Sequence, residues 1–223
     1  MHTTNRSYVL RAGRMTGAQR RSYEALSDRW IVPFVPGTAL AEEAVFARRD
    51  RPLCVEIGFG MGIATALIAE QNPQINYLGI EVHRPGIGRL LWEIEKRGLS
   101  NIRIIEGDAV DVLDAMDFKA DSFHIFFPDP WPKKRHHKRR LIQRPFISLL
   151  ERRLKKGGYI YMVTDWEDYG HKALEEFSAT PGLKNRCADG GFAPAQRWRP
   201  ETKFEKKGIA KNHQIWELMF ERE

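Results

Sequence analysis

An aspartate between two prolines, followed by a run of basic residues, is the segment of this sequence most suggestive of chemistry. Pro128 and Pro130 flank Asp129 and restrict its backbone, and Trp131 follows directly. Six cations then fall within eight residues: Lys133, Lys134, Arg135, Lys138, Arg139 and Arg140. No acid occurs between Asp129 and Glu151 to neutralise them. This basic run, residues 133–140, predicts phosphate groups as its partner, and Trp131 offers a flat face on which a base could stack.

A rigid carboxylate beside a basic surface has a specific chemical use. Guanine presents two donors on its Watson–Crick edge, N1–H and N2–H2, and Asp129 could accept from both. The opposite edge, with N7, would then face a donor carbon. Because N7 already carries a lone pair, an enzyme acting there needs alignment more than a strong base. The alternative is a solvated or nuclear-localisation-like charge run, a common interpretation that does not account for the rigid turn.

Three glycines at alternate positions, Gly58, Gly60 and Gly62, form a second candidate site. Glycine permits a tight turn and lets the backbone approach a ligand closely. The spacing G-x-G-x-G differs from the dinucleotide fingerprint G-x-G-x-x-G, because Ile stands at position 63. A turn without any ligand is the alternative. Glu56, just before the turn, either bonds to the turn and a ligand or has a structural role, and both interpretations stay open.

Two acids follow the next two predicted strands. Glu81, 19 residues after Gly62, could accept hydrogen bonds from ribose hydroxyls, as the acid of dinucleotide folds does. Asp108 could accept from an exocyclic amine such as that of adenine, or it could cap the following helix. The alternative for Glu81 is a solvated charge. Together with the glycine turn these acids predict a pocket for an adenosine-containing ligand without a pyrophosphate, and S-adenosylmethionine is such a ligand.

These residues converge only if the strands before them lie in one sheet. Strands are predicted at residues 53–57, 75–82, 102–105, 123–127, 159–163 and 213–220, and helices at 61–71, 84–97, 108–116, 144–154 and 167–179. Gly98 is predicted to end the second helix, and Gly157 with Gly158 the fourth. The alternation over residues 52–179 predicts an α/β fold, a parallel sheet with helices on both faces. Ligands of such sheets lie beyond the carboxyl ends of the strands.

Composition excludes several other classes of protein. Of 223 residues 42% are hydrophobic, which excludes a disordered chain and fits a single α/β domain. Cys54 and Cys187 are too few for a disulfide framework or a cysteine zinc site, and His136 and His137 have no evident third metal ligand. Residues 57–69, the longest uncharged and mostly apolar run, are too few to span a bilayer. The net charge of +7 favours a polyanionic partner.

Residues 1–40 are interpreted as a basic N-terminal arm or cap, and residues 41–223 as a single domain. The first 23 residues hold five arginines and no acid, and they lack the apolar segment of a signal peptide. A transit peptide stays open on composition, although Tyr8, Val9 and Leu10 could dock on a core. The apolar residues between Trp30 and Leu40 could cover either the core or an interface.

The sequence closely resembles the tRNA (guanine-N7-)-methyltransferase family of the bacterial single-chain type. The resemblance covers most of the chain. The segments that carry it are residues 11–16 (RAGRMT), 56–62, 79–83 (GIEVH), 128–131 (PDPW) with the basic run, 164–166 (TDW) and 201–205 (ETKFE). It implies a class I S-adenosylmethionine-dependent methyltransferase fold, Rossmann-like, with a seven-stranded and mostly parallel sheet. It also implies methylation of a guanine in the variable loop of tRNA.

The resemblance further implies roles for individual residues. The methyl donor would be bound by Glu56, Gly58, Gly60, Glu81 and Asp108, with Asp129 beside it as the catalytic residue. The target nucleotide would be contacted by Lys133, Asp165, Thr202, Lys203, Phe204 and Glu205. RNA would be contacted by Arg135, His136, His137, Lys138, Arg139 and Arg140. A cytoplasmic monomer or homodimer is expected, with tRNA as partner and without a membrane, a required protein partner or a metal.

Two other classes of protein share part of the pattern. A nicotinamide-dependent oxidoreductase would use the same early sheet and Glu81, but it needs the G-x-G-x-x-G spacing and has no use for the basic run. A non-enzymatic RNA-binding module would use the basic run but not the three acids that follow the strands.

Overall fold

Between residues 53 and 178 strands and helices alternate along the chain as predicted, whereas the two helices before residue 46 were not predicted. In this computed structural model, residues 7–8, 13–201, 205 and 214–223 are described. The helices are α1 (Gly17–Trp30), α2 (Glu42–Val45), α3 (Ile63–Gln71), α4 (Arg84–Arg97), α5 (Ala109–Ala115), α6 (Arg144–Arg153) and α7 (Glu167–Ser178), with a 3-10 helix at Lys134–Arg139. The strands are β1 (Leu53–Ile57), β2 (Asn76–Glu81), β3 (Ile102–Glu106), β4 (Ala120–Phe126), β5 (Leu154–Thr164), β6 (Leu183–Asn185) and β7 (Trp216–Arg222).

The strands form one seven-stranded sheet in the order β3-β2-β1-β4-β5-β7-β6. Strands β1 to β5 run parallel, and β7 is antiparallel to β5 and to β6. The predicted α/β class, with a mostly parallel sheet, is confirmed. The chain order reverses between β1 and β4, so the turns after these two strands open a crevice at the carboxyl edge.

Alternate residues of each central strand point into two separate cores. Val55 of β1 and Leu78 of β2 pack with α5, α6 and α7, whereas Cys54 and Tyr77 pack with α3 and α4 on the other face. Helices therefore cover both faces of the sheet, and the central strands are buried on both sides, as expected for parallel strands.

Helix α4 follows the predicted pattern residue by residue. Ile87, Leu90, Leu91 and Ile94 are fully buried because their spacing places them on one face. Gly98 caps the helix with a left-handed backbone, φ +63°, and its N–H bonds the carbonyls of the last turn. Glycine adopts this conformation without a steric penalty, so the predicted end of the helix is confirmed.

The prediction that Gly157 and Gly158 close the helix before β5 is wrong. Helix α6 ends at Arg153 and β5 starts at Leu154, so both glycines lie inside the strand. The pairing of β4 with β5 shifts register between Ala120 and Ser122, as at a bulge. A Cβ at Gly158 would lie 2.7 Å from the Asp121 carbonyl oxygen, which explains the glycine there.

The C-terminal part of the sheet also differs from the prediction. Strand β6, three residues long, lies in a segment predicted to be irregular, because so short a strand shows no alternation. The last strand begins at Trp216 rather than at residue 213, and His213 lies outside the described residues.

Three apolar residues of the segment 30–40 are buried in the core, whereas Val35 is exposed. Trp30 is buried with α4 on one face, and Val32 and Leu40 are buried on the other. Val32 N also donates to Ile104 O at 2.8 Å, so the segment pairs with the edge strand β3. The division into an arm at 1–40 and a domain at 41–223 stays a prediction. Of the residues that the structure describes, none form a helix that is long and apolar enough to cross a membrane.

Candidate active site

A cavity of about 210 Å3 opens at the carboxyl ends of β1 to β4. Four of the predicted site residues line it: Gly58 after β1, Glu81 at the end of β2, Asp108 after β3 and Asp129 after β4. Its wall is completed by Ser7, Tyr8, Ile57, Ile80, Val82, Gly107, Ala109, Phe127, Pro128 and Leu141. The structure therefore brings together residues that lie up to 71 positions apart in sequence.

The glycine turn owes its shape to three left-handed residues. Gly58, Gly60 and Gly62 have φ angles of +70°, +56° and +65°. A Cβ built on Gly58 or Gly60 would meet nothing within 4 Å, so the backbone at these positions faces open space. A Cβ on Gly62 would lie 2.6 Å from Leu90 Cβ. The first two glycines thus leave room for a ligand, and the third lets α3 pack on α4.

Glu81 holds the glycine turn through backbone hydrogen bonds. Its Oε2 accepts from Gly60 N at 2.8 Å, and its Oε1 accepts from Val82 N at 2.7 Å and His83 N at 3.0 Å. A carboxylate has about four acceptor positions, so these three bonds leave one toward the cavity. Glu81 therefore fixes the turn and can still bind a hydroxyl.

Asp108 caps helix α5, one of its two predicted roles, and it also lines the cavity. Its Oδ1 accepts from Val110 N at 2.9 Å, which caps α5. The sequence left a cap and a ligand contact as alternatives, and this placement is compatible with both, because one carboxylate oxygen serves the helix.

Glu56 is buried in β1, two residues before Gly58. Burial, and then the negative charge of Glu81, raise its pKa from 4.5 to about 7, while the Thr65 hydroxyl acts in the opposite direction. The Thr65 Oγ1 is itself buried and lies outside hydrogen-bond geometry to any described residue. Neither Glu56 nor Thr65 lines the cavity, and the raised pKa favours the neutral form of the Glu56 carboxyl.

The residues of the cavity fit S-adenosylmethionine better than a dinucleotide. Glu81, Asp108 and Asp129 are in the wall, and none of the described residues that line it is Lys, Arg or His. A sulfonium and an ammonium are favoured in such a field, whereas a pyrophosphate would be repelled. The open backbone at Gly58 leaves room for the same ligand.

The Pro-Asp-Pro turn, residues 127–131, has a strained backbone. Phe127 and Trp131, on either side of the prolines, have φ angles of +51° and +46°. The left-handed region costs an ordinary residue about 1–2 kcal/mol, so two such residues within five persist only if the fold holds them. Phe127 N donates to Val163 O at 2.8 Å. Asp129, between them, stands at the cavity wall.

The Trp131 side chain contacts at least three other residues of the protein. Its Nε1 donates to Ser7 O at 2.9 Å, and the Arg139 guanidinium lies 4.2 Å from the centre of its ring. His136 meets the ring edge-on, with centroids 5.8 Å apart. Arg139 thus covers a face of the Trp131 ring, which was predicted to stack on a base. The hydrogen bond to Ser7 also places this residue of the N-terminal segment next to the turn.

The basic run has one inward-pointing member. Lys133, Lys134 and Arg135 are exposed on the 3-10 helix or next to it. Arg140 is only 4% exposed, and it bonds the Pro130 carbonyl and the Asp168 carboxylate. Arg140 is thus buried and paired, unlike the exposed members of the run, and its contact with RNA stays a prediction.

Two further predicted contacts lie in different surroundings. Asp165 is half-buried in the turn between β5 and α7, at the same edge of the sheet as Asp129. Glu205 is buried, and Arg199 donates to its two carboxylate oxygens at 2.6 Å each. Thr202, Lys203 and Phe204 lie outside the described residues.

A buried network around Arg199 escaped the sequence-based prediction. Besides Glu205, Arg199 Nη2 donates to Glu217 Oε1 at 3.1 Å and Nε to the Tyr161 hydroxyl at 3.2 Å; Tyr161 in turn donates to Glu217. The Arg199 guanidinium also lies 5.8 Å from the ring centre of Phe127. The network therefore ties Glu205 to β5, β7 and the start of the Pro-Asp-Pro turn.

Among the described residues, no group of three or more His, Cys, Asp or Glu side chains could hold a metal ion. His136 and His137 both lie on the 3-10 helix, and some burial, together with the charges of Arg135 and its neighbours, lowers the pKa of His136. Neutral histidine is favoured there because the surrounding groups are cationic.

A Rossmann-like sheet of this strand order, with a glycine turn and strand-end acids around a cavity, defines a class I S-adenosylmethionine-dependent methyltransferase. The family model described as "Putative methyltransferase" matches residues 50–218. The tRNA (guanine-N(7)-)-methyltransferase of Nitrosospira multiformis is 49% identical over 223 residues, covering 99% of this chain and 96% of that protein. The chain belongs to the tRNA (guanine-N(7)-)-methyltransferase family.

Other comparisons agree with this assignment. The Burkholderia vietnamiensis protein of the same name is 49% identical and is covered to 86% of its length, with 99% of this chain aligned. Among solved structures, an rRNA methylase from Streptococcus thermophilus has a TM-score of 0.54 at 14% identity, covering 78% of this chain and 87% of that one. That likeness shows the fold alone. The predicted enzyme class and the use of S-adenosylmethionine are confirmed by the family and the fold.

Proposed function

We propose that this enzyme transfers a methyl group from S-adenosylmethionine to N7 of a guanine in the variable loop of tRNA, forming 7-methylguanosine. The observation that carries the proposal is the position of Asp129. Its carboxylate stands in the wall of the acidic cavity, and the exposed basic run begins four residues later. Family membership supports tRNA as the substrate class.

In this proposal Asp129 orients the base and stabilises charge. S-adenosylmethionine, when bound, supplies the methyl group on a sulfonium. The Asp129 carboxylate accepts from guanine N1–H and N2–H2 and so turns N7 toward the cavity. Methylation at N7 leaves a positive charge on the purine, and a carboxylate held in place nearby stabilises that charge as it develops. Asp165, at the same sheet edge, is the second acid near this position.

The remaining roles are divided between the cavity and the surface. Glu56, Gly58, Gly60, Glu81 and Asp108 hold the cofactor. RNA phosphates contact the other members of the basic run, Arg135, His136, His137, Lys138 and Arg139. The target nucleotide is contacted by Lys133, Asp165, Thr202, Lys203 and Phe204. Glu205 is assigned a supporting role, because its carboxylate is buried and bonded to Arg199.

The cellular setting follows from the substrate. We place the enzyme in the cytoplasm, as a monomer or a homodimer that needs no other protein for activity. Residues 1–40 act as a basic arm or cap, since Ser7 and Tyr8 already reach the cavity wall.

The decisive experiment is Asp129→Asn, which keeps the size of the side chain and removes its charge. Transfer of labelled methyl to tRNA should be lost, while the Kd for S-adenosylmethionine, measured by calorimetry, stays close to that of the unchanged protein. Chain scission at 7-methylguanine locates the product. Asp114→Asn, at an exposed acid of α5, is the matched control. Full activity of Asp129→Asn would refute the assigned role, and RNA binding without any cofactor binding would favour an RNA-binding module.

A further inference from the structure

We propose that Arg140 is a positioning residue for methyl transfer: its buried guanidinium fixes the Pro-Asp-Pro turn against α7 and thereby aims Asp129. It would do this instead of contacting RNA. The inference rests on the proposed function, because it assumes that Asp129 orients the guanine.

The contacts of Arg140 all lie within the protein. Nε donates to Pro130 O at 2.9 Å, and Nη2 donates to Asp168 Oδ2 at 2.6 Å. Nη2 also lies 3.2 Å from His137 Nε2, and the guanidinium sits 4.9 Å from the centre of the Tyr169 ring. The carbonyl that it binds belongs to the residue directly after Asp129.

The middle of the turn needs such an anchor because its two prolines cannot donate backbone hydrogen bonds. Pro128 and Pro130 have no N–H group, so the residues on both sides of Asp129 can be tied to the fold only through carbonyls or side-chain packing. The turn also starts and ends with residues of positive φ, Phe127 and Trp131, which relax to ordinary conformations unless they are held. The Pro130 carbonyl is therefore an effective place to restrain it.

An arginine suits this position because two separate groups must be reached. Its rigid fork directs Nε to the turn and Nη2 to the first turn of α7, whereas a lysine offers a single point charge. Asp168 is the acceptor on α7, and the hydrogen bond from Arg140 lowers the pKa of its carboxyl. Asp165 lies three residues earlier, so one guanidinium links both segments proposed to contact the guanine.

The substitution Asp168→Asn distinguishes a positioning role of Arg140 from contact of Arg140 with RNA, because the two roles predict different results. If Arg140 positions the turn, loss of its charged partner loosens the turn and lowers kcat. If Arg140 binds phosphate, removal of the nearby negative charge strengthens tRNA binding and leaves kcat unchanged. Asp168 is 64% exposed, so the substitution is compatible with folding.

The test measures kcat, KM for tRNA, and the salt dependence of tRNA binding for Asp168→Asn, Arg140→Gln and Arg140→Lys. We expect kcat to fall about 10- to 100-fold in the first two, the size of effect that an error of about 1 Å in alignment produces. The affinity for tRNA and its salt slope should stay unchanged. Arg140→Lys should recover part of kcat. Glu175→Gln removes one exposed charge from the same helix and serves as control.

Two comparisons fix the interpretation. The double variant Arg135→Ala, Lys138→Ala reports true RNA binding, and its salt slope should fall by about 0.7–0.9 for each phosphate that the protein no longer binds. The proposal would be overturned if Arg140→Gln behaved like this double variant with kcat unchanged, or if Asp168→Asn bound tRNA more tightly with kcat unchanged. If Arg140→Gln does not fold, Asp168→Asn decides. If Asp168→Asn is fully active and Asp129→Asn is inactive, the positioning role of Arg140 is refuted and the proposed function stands. If Asp129→Asn is fully active, the proposed function itself is refuted.

Discussion

Replacement of Glu56 by glutamine should flatten the pH dependence of stability in the cofactor-free enzyme. Glu56 is 3% exposed, and burial, with Glu81 nearby, raises the pKa of its carboxyl from 4.5 to about 7. Between these pH values the native state keeps a proton that the unfolded state has released. The free energy of unfolding therefore has its full Glu56 contribution below about pH 4.5 and loses it as the pH rises through 7.

The size of this loss follows from the two pKa values. One pKa unit corresponds to about 1.36 kcal/mol, so a shift from 4.5 to about 7 amounts to about 3 kcal/mol across the window. Glutamine has nearly the same size and cannot titrate, so Glu56→Gln should lack this contribution.

Urea unfolding in steps from about pH 5 to pH 8 measures the effect directly. Relative to Glu56→Gln, the unchanged protein should lose stability between about pH 5 and pH 7 and then level off. Glu175→Gln, at an exposed site, should follow the unchanged protein. Parallel curves for the unchanged protein and Glu56→Gln would refute the reasoning, since they would show that Glu56 titrates alike in both states.

The same residue links cofactor binding to pH. A cationic ligand favours the charged form of Glu56, so binding of S-adenosylmethionine below pH 7 should release close to one proton. Calorimetry in buffers of different ionisation enthalpy measures this number, and Glu56→Gln should release none. Equal proton release by both proteins would show that the carboxyl group does not sense the cofactor, and Glu56 would then have a structural role only.

Two further perturbations test the assignment of residues to ligand or to fold. Gly58→Ala should weaken S-adenosylmethionine binding and lower the free energy of unfolding by about 1 kcal/mol, because its Cβ would enter open space at the cavity wall. Gly62→Ala should lower the free energy of unfolding by about 2–4 kcal/mol, because its Cβ would clash with α4. Equal losses of stability by urea unfolding would contradict this difference. Arg199→Met should lower the free energy of unfolding by about 3–5 kcal/mol, since Glu205 and Glu217 would be left buried without their cation. A stable Arg199→Met protein with weakened tRNA binding would show instead that this segment contacts substrate directly.

The positions of the strand-end residues could be predicted because the signals are local. A buried parallel strand is a short continuous apolar run, and Gly58, Glu81, Asp108 and Asp129 each lie at or just beyond the end of such a run. Once the strands are parallel neighbours, the fold brings their ends together without further information. The convergence of these four residues on one cavity therefore required only the order of elements along the chain.

The orientation of Arg140 could not be predicted, because it depends on a partner 28 residues away. In the sequence it is one of six similar cations, and nothing local marks the one that turns inward. The positive φ angles of Phe127 and Trp131 also lack a signal, since glycine or asparagine normally marks that conformation. The Arg199 network joins residues of β5, β7 and the segment before residue 205, and it became visible only once these elements were adjacent.

The Pro-Asp-Pro turn lies between two electrostatic environments, the acidic cavity and the exposed basic run. The cavity wall holds three acids and favours a cationic methyl donor, whereas the exposed basic run favours the RNA backbone. Phosphates are repelled by the wall and attracted by the run, and these opposing forces are strong within about 8 Å, the screening length at physiological salt. A nucleobase is uncharged before methylation, so it can pass the turn while its phosphates stay outside. In the function proposed above, the base would acquire its positive charge next to Asp129, and the field that excludes the phosphates would be the one that stabilises this charge.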